Sequence, residues 1–164
     1  MLKEIEKRRS IRKFNKEAVK QETLEVLLRS AMQAPTAMNK QRWRFLVLQR
    51  REDLDVLPSL HPYANMMKSA GAAIIVMGDR TLNSDPYLYC DASAAIMNIL
   101  LEATHLGLGS CWCAIAPSKE RIDAFSNYFA LSKELLPIAV IALGEGMESK
   151  GFEDRYDPAK VQWR

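Results

Sequence analysis

The chain has 164 residues, 48% of them hydrophobic and 26% charged, with a formal net charge of +3. That balance excludes a disordered chain, and the length suits one domain that hides roughly 70% of the surface its unfolded form exposes. No apolar run approaches the ~20 residues of a membrane span, and no apolar segment follows the charged start Met1-Leu2-Lys3-Glu4. Three cysteines make a disulfide framework unexpected, so the composition points to a cytoplasmic protein without membrane attachment.

In chain order, Leu24, Leu27, Leu28, Ala31 and Met32 recur at helical spacing ahead of Pro35, which predicts a helix with one buried face. Trp43–Leu48 reads as a strand, followed by short helices over 53–60 and 62–68 and a second strand over 72–77. A long helix over about 87–106 is apolar round most of its circumference, through Ala92, Ala94, Ala95, Ile96, Ile99, Leu100, Ala103 and Leu106. Its polar residues Asp91, Asn98, Glu102 and His105 fall on one narrow stripe. Such a helix is buried on most sides, either as the core helix of one chain or against a second subunit. Strands over 110–115 and 137–143 flank a helix over 117–129 that carries Ile122, Phe125 and Phe129 on one side. From Glu148 the chain is polar and irregular, and it ends in Val161-Gln162-Trp163. No repeat or linker interrupts it, so a single domain over 1–164 is expected.

Charge is unevenly spread. Residues 1–51 hold 14 Lys and Arg against 5 Asp and Glu, a net +9, whereas residues 52–164 hold 9 against 15, a net −6. Such asymmetry indicates either an anionic partner or a solvated basic face. Its densest stretch is Arg8-Arg9-Ser10-Ile11-Arg12-Lys13-Phe14, where guanidinium forks and a hydroxyl suit a phosphate and the apolar Ile11 and Phe14 suit packing onto the body. In an extended segment Arg8, Ser10 and Arg12 share one face. A free nucleic-acid arm would be richer in Lys and lack inward apolar residues.

Other chemistry is absent. Gly107-Leu108-Gly109 and Gly144-Glu145-Gly146 do not continue as dinucleotide or phosphate-loop motifs, and His61 and His105 have no metal partner at a recognised spacing. Cys111-Trp112-Cys113 stands without further ligands, and no nucleophile elbow occurs. No metal is expected, and an enzyme built this way would rely on a cofactor.

Taken together, the motifs resemble the FMN-dependent nitroreductase family. The Arg8–Phe14 stretch is similar to its N-terminal signature. The run Ala34-Pro35-Thr36-Ala37-Met38-Asn39-Lys40-Gln41-Arg42-Trp43-Arg44-Phe45 is similar to its A-P-S-x-x-N-x-Q-P-W-x-F segment. Asp91-Ala92-Ser93-Ala94-Ala95, Asn98-Ile99-Leu100-Leu101 and Gly107-Leu108-Gly109-Ser110-Cys111-Trp112 match its central helix and next strand, and Ala142-Leu143-Gly144 and Arg155-Tyr156-Asp157 its C-terminal pattern.

The resemblance implies an α+β three-layer sandwich with a mixed, mainly antiparallel sheet flanked by helices, in an intertwined homodimer with FMN at the interface. The tail 148–164 would then reach over the partner subunit. It places Arg8, Arg9 and Ser10 at the FMN phosphate and ribityl chain, with Arg155, or Lys150, closing over the phosphate. Arg12 would lie by the N1 and C2-carbonyl edge, where negative charge gathers on reduction, and stabilise the reduced flavin. Pro35, Thr36, Ala37 and Asn39, with Gln41, would come from the other subunit. The backbone at Cys113 and Ala114 would run near the ring's reactive edge. His61, Tyr63, Met66 and Met67 either line a substrate pocket or pack a surface helix. The implied activity takes a hydride from NADH or NADPH and reduces nitroaromatics, quinones or similar small oxidants by a ping-pong mechanism. Reductive dehalogenation or flavin breakdown on the same fold, and a non-enzymatic anion- or nucleic-acid-binding module, are the alternatives. Two departures stand out: Arg42 replaces the family's usual Pro, and Thr36 its usual Ser. The segment 51–87, which would cover the flavin's open face, is short, so an open active site is expected.

Overall fold

The computed structural model describes residues 1–81 and 85–164. Residues 82–84, part of the segment read as a cover for the flavin, lie outside the described residues. Helices α1 (Lys3–Lys7), α2 (Gln21–Ala31), α3 (Arg51–Leu60), α4 (Asp85–His105) and α5 (Lys119–Tyr128) accompany strands β1 (Trp43–Leu48), β2 (Ala72–Asp79), β3 (Gly109–Ala114) and β4 (Leu135–Gly144). Short 3₁₀ turns occupy Ala37–Asn39, Asn65–Lys68 and Pro158–Lys160.

The strands form one sheet in the order β1-β2-β4-β3, antiparallel at every ladder. The parallel pairing among the described residues is the single bridge between Ser10 and Ser110, which lays the N-terminal segment beside β3. Period-two alternation assigns the strand residues to two faces. Ile74, Val76, Ile141 and Leu143 face a core shared with Leu24 and Leu27 of α2 and Ile96 and Ile99 of α4. Ala73, Ile75, Val140, Cys111 and Cys113 face a second core with Leu54 and Leu57 of α3 and Phe125 of α5. The molecule is therefore the three-layer α+β sandwich that the motifs implied. β2 and β4 are buried on both faces, which is why they read as continuous apolar runs without alternation.

A register shift between Val76 and Met77 accommodates Pro137, which has no N–H for the ladder. At this irregularity the Ile138 carbonyl accepts the N–H groups of Ile115 at 2.9 Å and Ala116 at 3.1 Å, pinning the exit of β3. α4 ends in a Schellman arrangement: Leu108 N–H donates to Ala103 O at 2.7 Å, Gly107 N–H to Thr104 O at 3.2 Å, and Gly107 takes φ +77°.

The expected helix over 62–68 shortens to the turn Asn65–Lys68, because Tyr63 N–H donates to His61 Nδ1 and Ala64 N–H to His61 O instead of continuing a helix. The helix expected from Pro117 begins at Lys119, capped by the Ser118 hydroxyl. α1 was not expected; its five residues include none that is buried, so no apolar periodicity announced it.

α4 is covered unevenly. Asp91, Ala92, Ala95, Ile96, Ile99 and Ala103 are buried. Its polar stripe faces the neighbouring helices: Asn98 Nδ2 donates to Ser30 O at 2.9 Å and His105 pairs with Glu4 at 3.0 Å. Cys90 and Met97 are exposed and Ala94 and Leu101 half-buried, so a stripe at helical spacing is left uncovered by this chain.

Candidate active site

The N-terminal segment is sewn to the body along its length. Ile11 N–H donates to Ser110 O at 2.9 Å, Met147 N–H to Lys13 O at 2.9 Å and Lys16 N–H to Ser69 O at 3.0 Å. Phe14 is buried, and Gly109 leaves room for Ile11, whose Cγ2 would stand 2.9 Å from any Cβ there. The start of the tail lies against the same segment. Arg12 N–H donates to Glu148 Oε1 at 2.5 Å, Lys150 Nζ to Ser10 O at 2.6 Å and Arg9 Nε to Gly151 O at 2.8 Å, with the Arg9 guanidinium 5.8 Å from the Phe152 ring centroid.

Charge within the basic third is neutralised selectively. Arg42 and Arg44 share Asp79 at 3.2 and 3.1 Å, Arg50 binds Asp53 at 2.7 Å and Arg51 binds Asp55 at 3.0 Å. The guanidinium that replaces the family's usual Pro at position 42 is therefore absorbed by Asp79 and Thr81. Arg8, Arg9 and Arg12 have no carboxylate ion-pair partner among the described residues.

Arg12 lines a cavity of about 580 Å³ whose wall is the end of β3, Cys111 through Ala114, with His61, Tyr63, Asn65, Met66 and Arg121 completing it. Arg8, Arg9 and Arg155 line a separate hollow of about 370 Å³ with Phe152, Glu153 and Asp154. Lys150 turns to Ser10 and Glu148 and lines neither. Met67 lies outside the cavity: it is fully buried in the core between the sheet and α3.

The 35–41 loop does not join Arg12 in this chain. The buried Asp91 of α4 holds it, accepting from Ala37 N–H at 3.0 Å through Oδ1, while its Oδ2 is buried without a hydrogen-bond partner. Gln41 N–H donates to Thr36 Oγ1 at 3.0 Å and Gln41 Nε2 to Asn39 Oδ1 at 2.9 Å. Met38, Asn39 and Gln41 take φ of 54°, 52° and 51°, a left-handed conformation that these contacts must hold against strain. Pro35, Asn39 and Gln41 are exposed, turned to solvent in the single chain.

His61 and Arg121 converge on one carbonyl. His61 accepts from Tyr63 N–H at Nδ1 (3.1 Å), so its proton sits on Nε2 and donates to Ala114 O at 2.9 Å. Arg121 Nη1 donates to the same oxygen at 2.6 Å and lies 3.2 Å from His61 Nε2. Burial, with Arg121 beside it, holds the imidazole below its usual 6.5 and keeps it neutral at pH 7. Cys111 and Cys113 lie on one face of β3, and the Cys113 Sγ stands 3.7 Å from Tyr63 O and 3.8 Å from Met66 Sδ. The neighbouring Cys113 thiol lowers Cys111 to about 7 against the effect of burial, helped by the positive charge of Arg12, while Cys111 and burial together raise Cys113.

Arg121, Asn65 and Trp112 were not singled out from the sequence. Arg121 did leave a trace, since a cation in the first turn of a helix opposes the macrodipole and so marks another demand on the position. The free arginines, the cavity wall of β3 and the closely approaching tail fit a phosphate-bearing aromatic cofactor on one side.

The nitroreductase family model matches residues 5–67 and 59–145. A protein of Methanothermobacter thermautotrophicus that carries the name NADH dehydrogenase/NAD(P)H nitroreductase is 38% identical over 162 residues, 98% of this chain and 85% of that protein. The crystal structure of a like-named protein from Parabacteroides distasonis superposes with a TM-score of 0.93 at 31% identity, covering 98% of this chain and 95% of the other. A nitroreductase from Desulfovibrio desulfuricans solved in complex with FMN gives a TM-score of 0.84 at 30% identity, over 99% and 94% of the two chains. With its order of motifs, its three layers and its arginine-lined cavity at the end of β3, this chain belongs to the nitroreductase family, a family of oxidoreductases.

Proposed function

We propose that the protein is a homodimeric FMN-dependent oxidoreductase of the cytoplasm. It takes a hydride from NADH or NADPH and passes it to a nitroaromatic, a quinone or a similar small oxidant by a ping-pong mechanism. With a quinone the balance is NAD(P)H, a proton and the quinone giving NAD(P)⁺ and the hydroquinone. The observation that carries this reading is the shared cavity of Arg12 and the β3 wall Cys111–Ala114, beside a segment whose arginines lack carboxylate partners.

FMN, when bound, supplies the hydride chemistry. The chain's own residues bind and orient. Arg8, Arg9, Ser10 and Arg155 would hold the phosphate end, and Arg12 brings a fixed positive charge to the edge where negative charge develops. His61 and Arg121 fix the Ala114 peptide against the cavity. The uncovered stripe Cys90, Ala94, Met97 and Leu101 supports a second subunit packed on α4, and the exposed tail residues Tyr156 and Trp163 support an arm reaching over it. The second subunit would bring Pro35, Thr36, Ala37, Asn39 and Gln41 to the flavin.

The purified protein should be yellow, or take up FMN, and sediment at about twice 18.6 kDa. Initial rates with NADH and 1,4-benzoquinone should give parallel double-reciprocal lines. A colourless protein that takes up no FMN would sink the reading.

A further inference from the structure

Arg121 has a place in the cavity but no acidic partner. Several arginines elsewhere on the body are paired, Arg42 and Arg44 with Asp79, Arg50 with Asp53, Arg51 with Asp55 and Arg80 with Asp85. Among the described residues no carboxylate stands within ion-pair distance of Arg121. Asp123, one half-turn on, is bound to Lys119 at 2.5 Å, and Glu120 lines an adjacent hollow with Arg121 without pairing to it. None of the residues lining the 580 Å³ cavity is acidic. His61 contributes no charge at neutral pH, so two guanidiniums line the cavity with no carboxylate among its lining residues.

Arg121 is also anchored. Its Nη1 donates to Ala114 O at 2.6 Å and leaves the other donors of the fork unassigned, and a guanidinium held by one donor is preorganised to give the rest to an anion. Met66, Trp112 and Cys113 supply apolar wall for an aromatic ring. If Arg12 serves the flavin, as proposed above, Arg121 is the cation left for whatever shares the cavity.

We propose that Arg121 forms an anion subsite that binds the carboxylate of an aromatic oxidant, so that the enzyme prefers anionic nitroaromatics and quinones over neutral ones of the same shape. The assignment of the bound carboxylate to a substrate rests on the FMN reading; the binding of the carboxylate itself does not. A charge-assisted bond inside a partly buried cavity discriminates strongly between a carboxylate and the isosteric amide.

The probes are sodium benzoate and benzamide, titrated calorimetrically into the purified FMN-loaded protein. Benzoate should bind roughly tenfold or more tighter than benzamide, with the gap narrowing as sodium chloride is added. Arg121→Gln keeps a donor for Ala114 O but removes the charge, and the ratio should fall towards one; Arg121→Lys should restore most of it. Equal binding of the two probes by the wild type, or a ratio undiminished in Arg121→Gln, overturns the subsite. Turnover then tests the substrate claim: kcat/KM for 4-nitrobenzoate should exceed that for 4-nitrobenzamide by a similar ratio, and equal values overturn it. Failure of the FMN reading shows separately, as a protein that takes up no flavin and oxidises no NADH or NADPH. The benzoate and benzamide titrations of that flavin-free protein still report on Arg121.

Discussion

An alanine at Gly71 would put a Cβ 2.0 Å from the Glu17 carbonyl oxygen and 3.2 Å from both Glu17 C and Val19 N. Ordinary van der Waals contact begins at 3.4 Å, so one backbone must retreat by about 1.4 Å. Neither side gives easily. Gly71 N–H donates to Leu143 O at 2.9 Å, Lys16 N–H donates to Ser69 O at 3.0 Å, and Val19 is buried in the core immediately beyond. Overpacking costs about 1–3 kcal/mol when side chains can yield; with backbone on both sides the upper end applies, ~3 kcal/mol. For a chain of this size each kcal/mol lowers Tm by roughly 2–4 °C, so Gly71→Ala should melt about 6–12 °C early. Differential scanning calorimetry at one fixed protein and FMN concentration reads this directly, since assembly and ligand both move Tm. Gly151→Ala is the matched control: nothing lies within 4 Å of its Cβ, and its Tm should stay within about 2 °C of the wild type. A Gly71→Ala protein that melts as the wild type does would refute the close packing of the 13–19 segment against the start of β2.

Phe125 is fully buried between the sheet and α3, so Phe125→Ala should cost about 3–5 kcal/mol in urea unfolding. Loss of less than ~1 kcal/mol would mean the second core is not closed around it. His61 is held below 6.5 by burial first, while unfolded His61 takes its proton near 6.5. The stability from neutral His61 is therefore complete above that pH and drains as pH falls through 6.5 towards the folded value. His105, raised by its hydrogen bond to Glu4, works in the opposite sense. Between about pH 8 and pH 5.5 the wild type should lose more Tm than His61→Gln, and equal losses would contradict the buried neutral imidazole. Arg12→Gln should lower the midpoint potential of bound FMN. The attraction lost is at most about 4 kcal/mol for charges ~4 Å apart at an effective dielectric of 20, and about 30 mV accompanies each 1.4 kcal/mol of a two-electron couple. Spectroelectrochemistry that found the potential unmoved would remove Arg12 from the flavin edge.

Elements whose burial pattern is strictly local were legible from the chain. Trp43–Leu48 is a strand to the residue, and the apolar runs that became β2 and β4 were plain because both their faces are covered. α4 was found to within two residues because few sequences of its length are so nearly apolar throughout. The short stretch 62–68 misled, since one imidazole accepting from Tyr63 N–H outweighs weak helical spacing. α1 was silent because it buries no side chain.

The family resemblance, not residue spacing, pointed to Cys113 and Ala114 at the end of β3. Within the site, the sequence by itself determined the cation-rich N-terminal segment and its packing through Ile11 and Phe14. These follow from residue type and order, which the chain carries directly. Only the tertiary structure decided that Arg42 and Arg44 are neutralised, because the pairing of β1 with β2 brings Asp79 to them, whereas Arg50 with Asp53 and Arg51 with Asp55 are local helical pairs. It also turned Met67 into the core and brought His61 and Arg121, 60 residues apart, onto one carbonyl oxygen. Pairings of that separation are set by sheet order and helix placement, and no local pattern of residues encodes them.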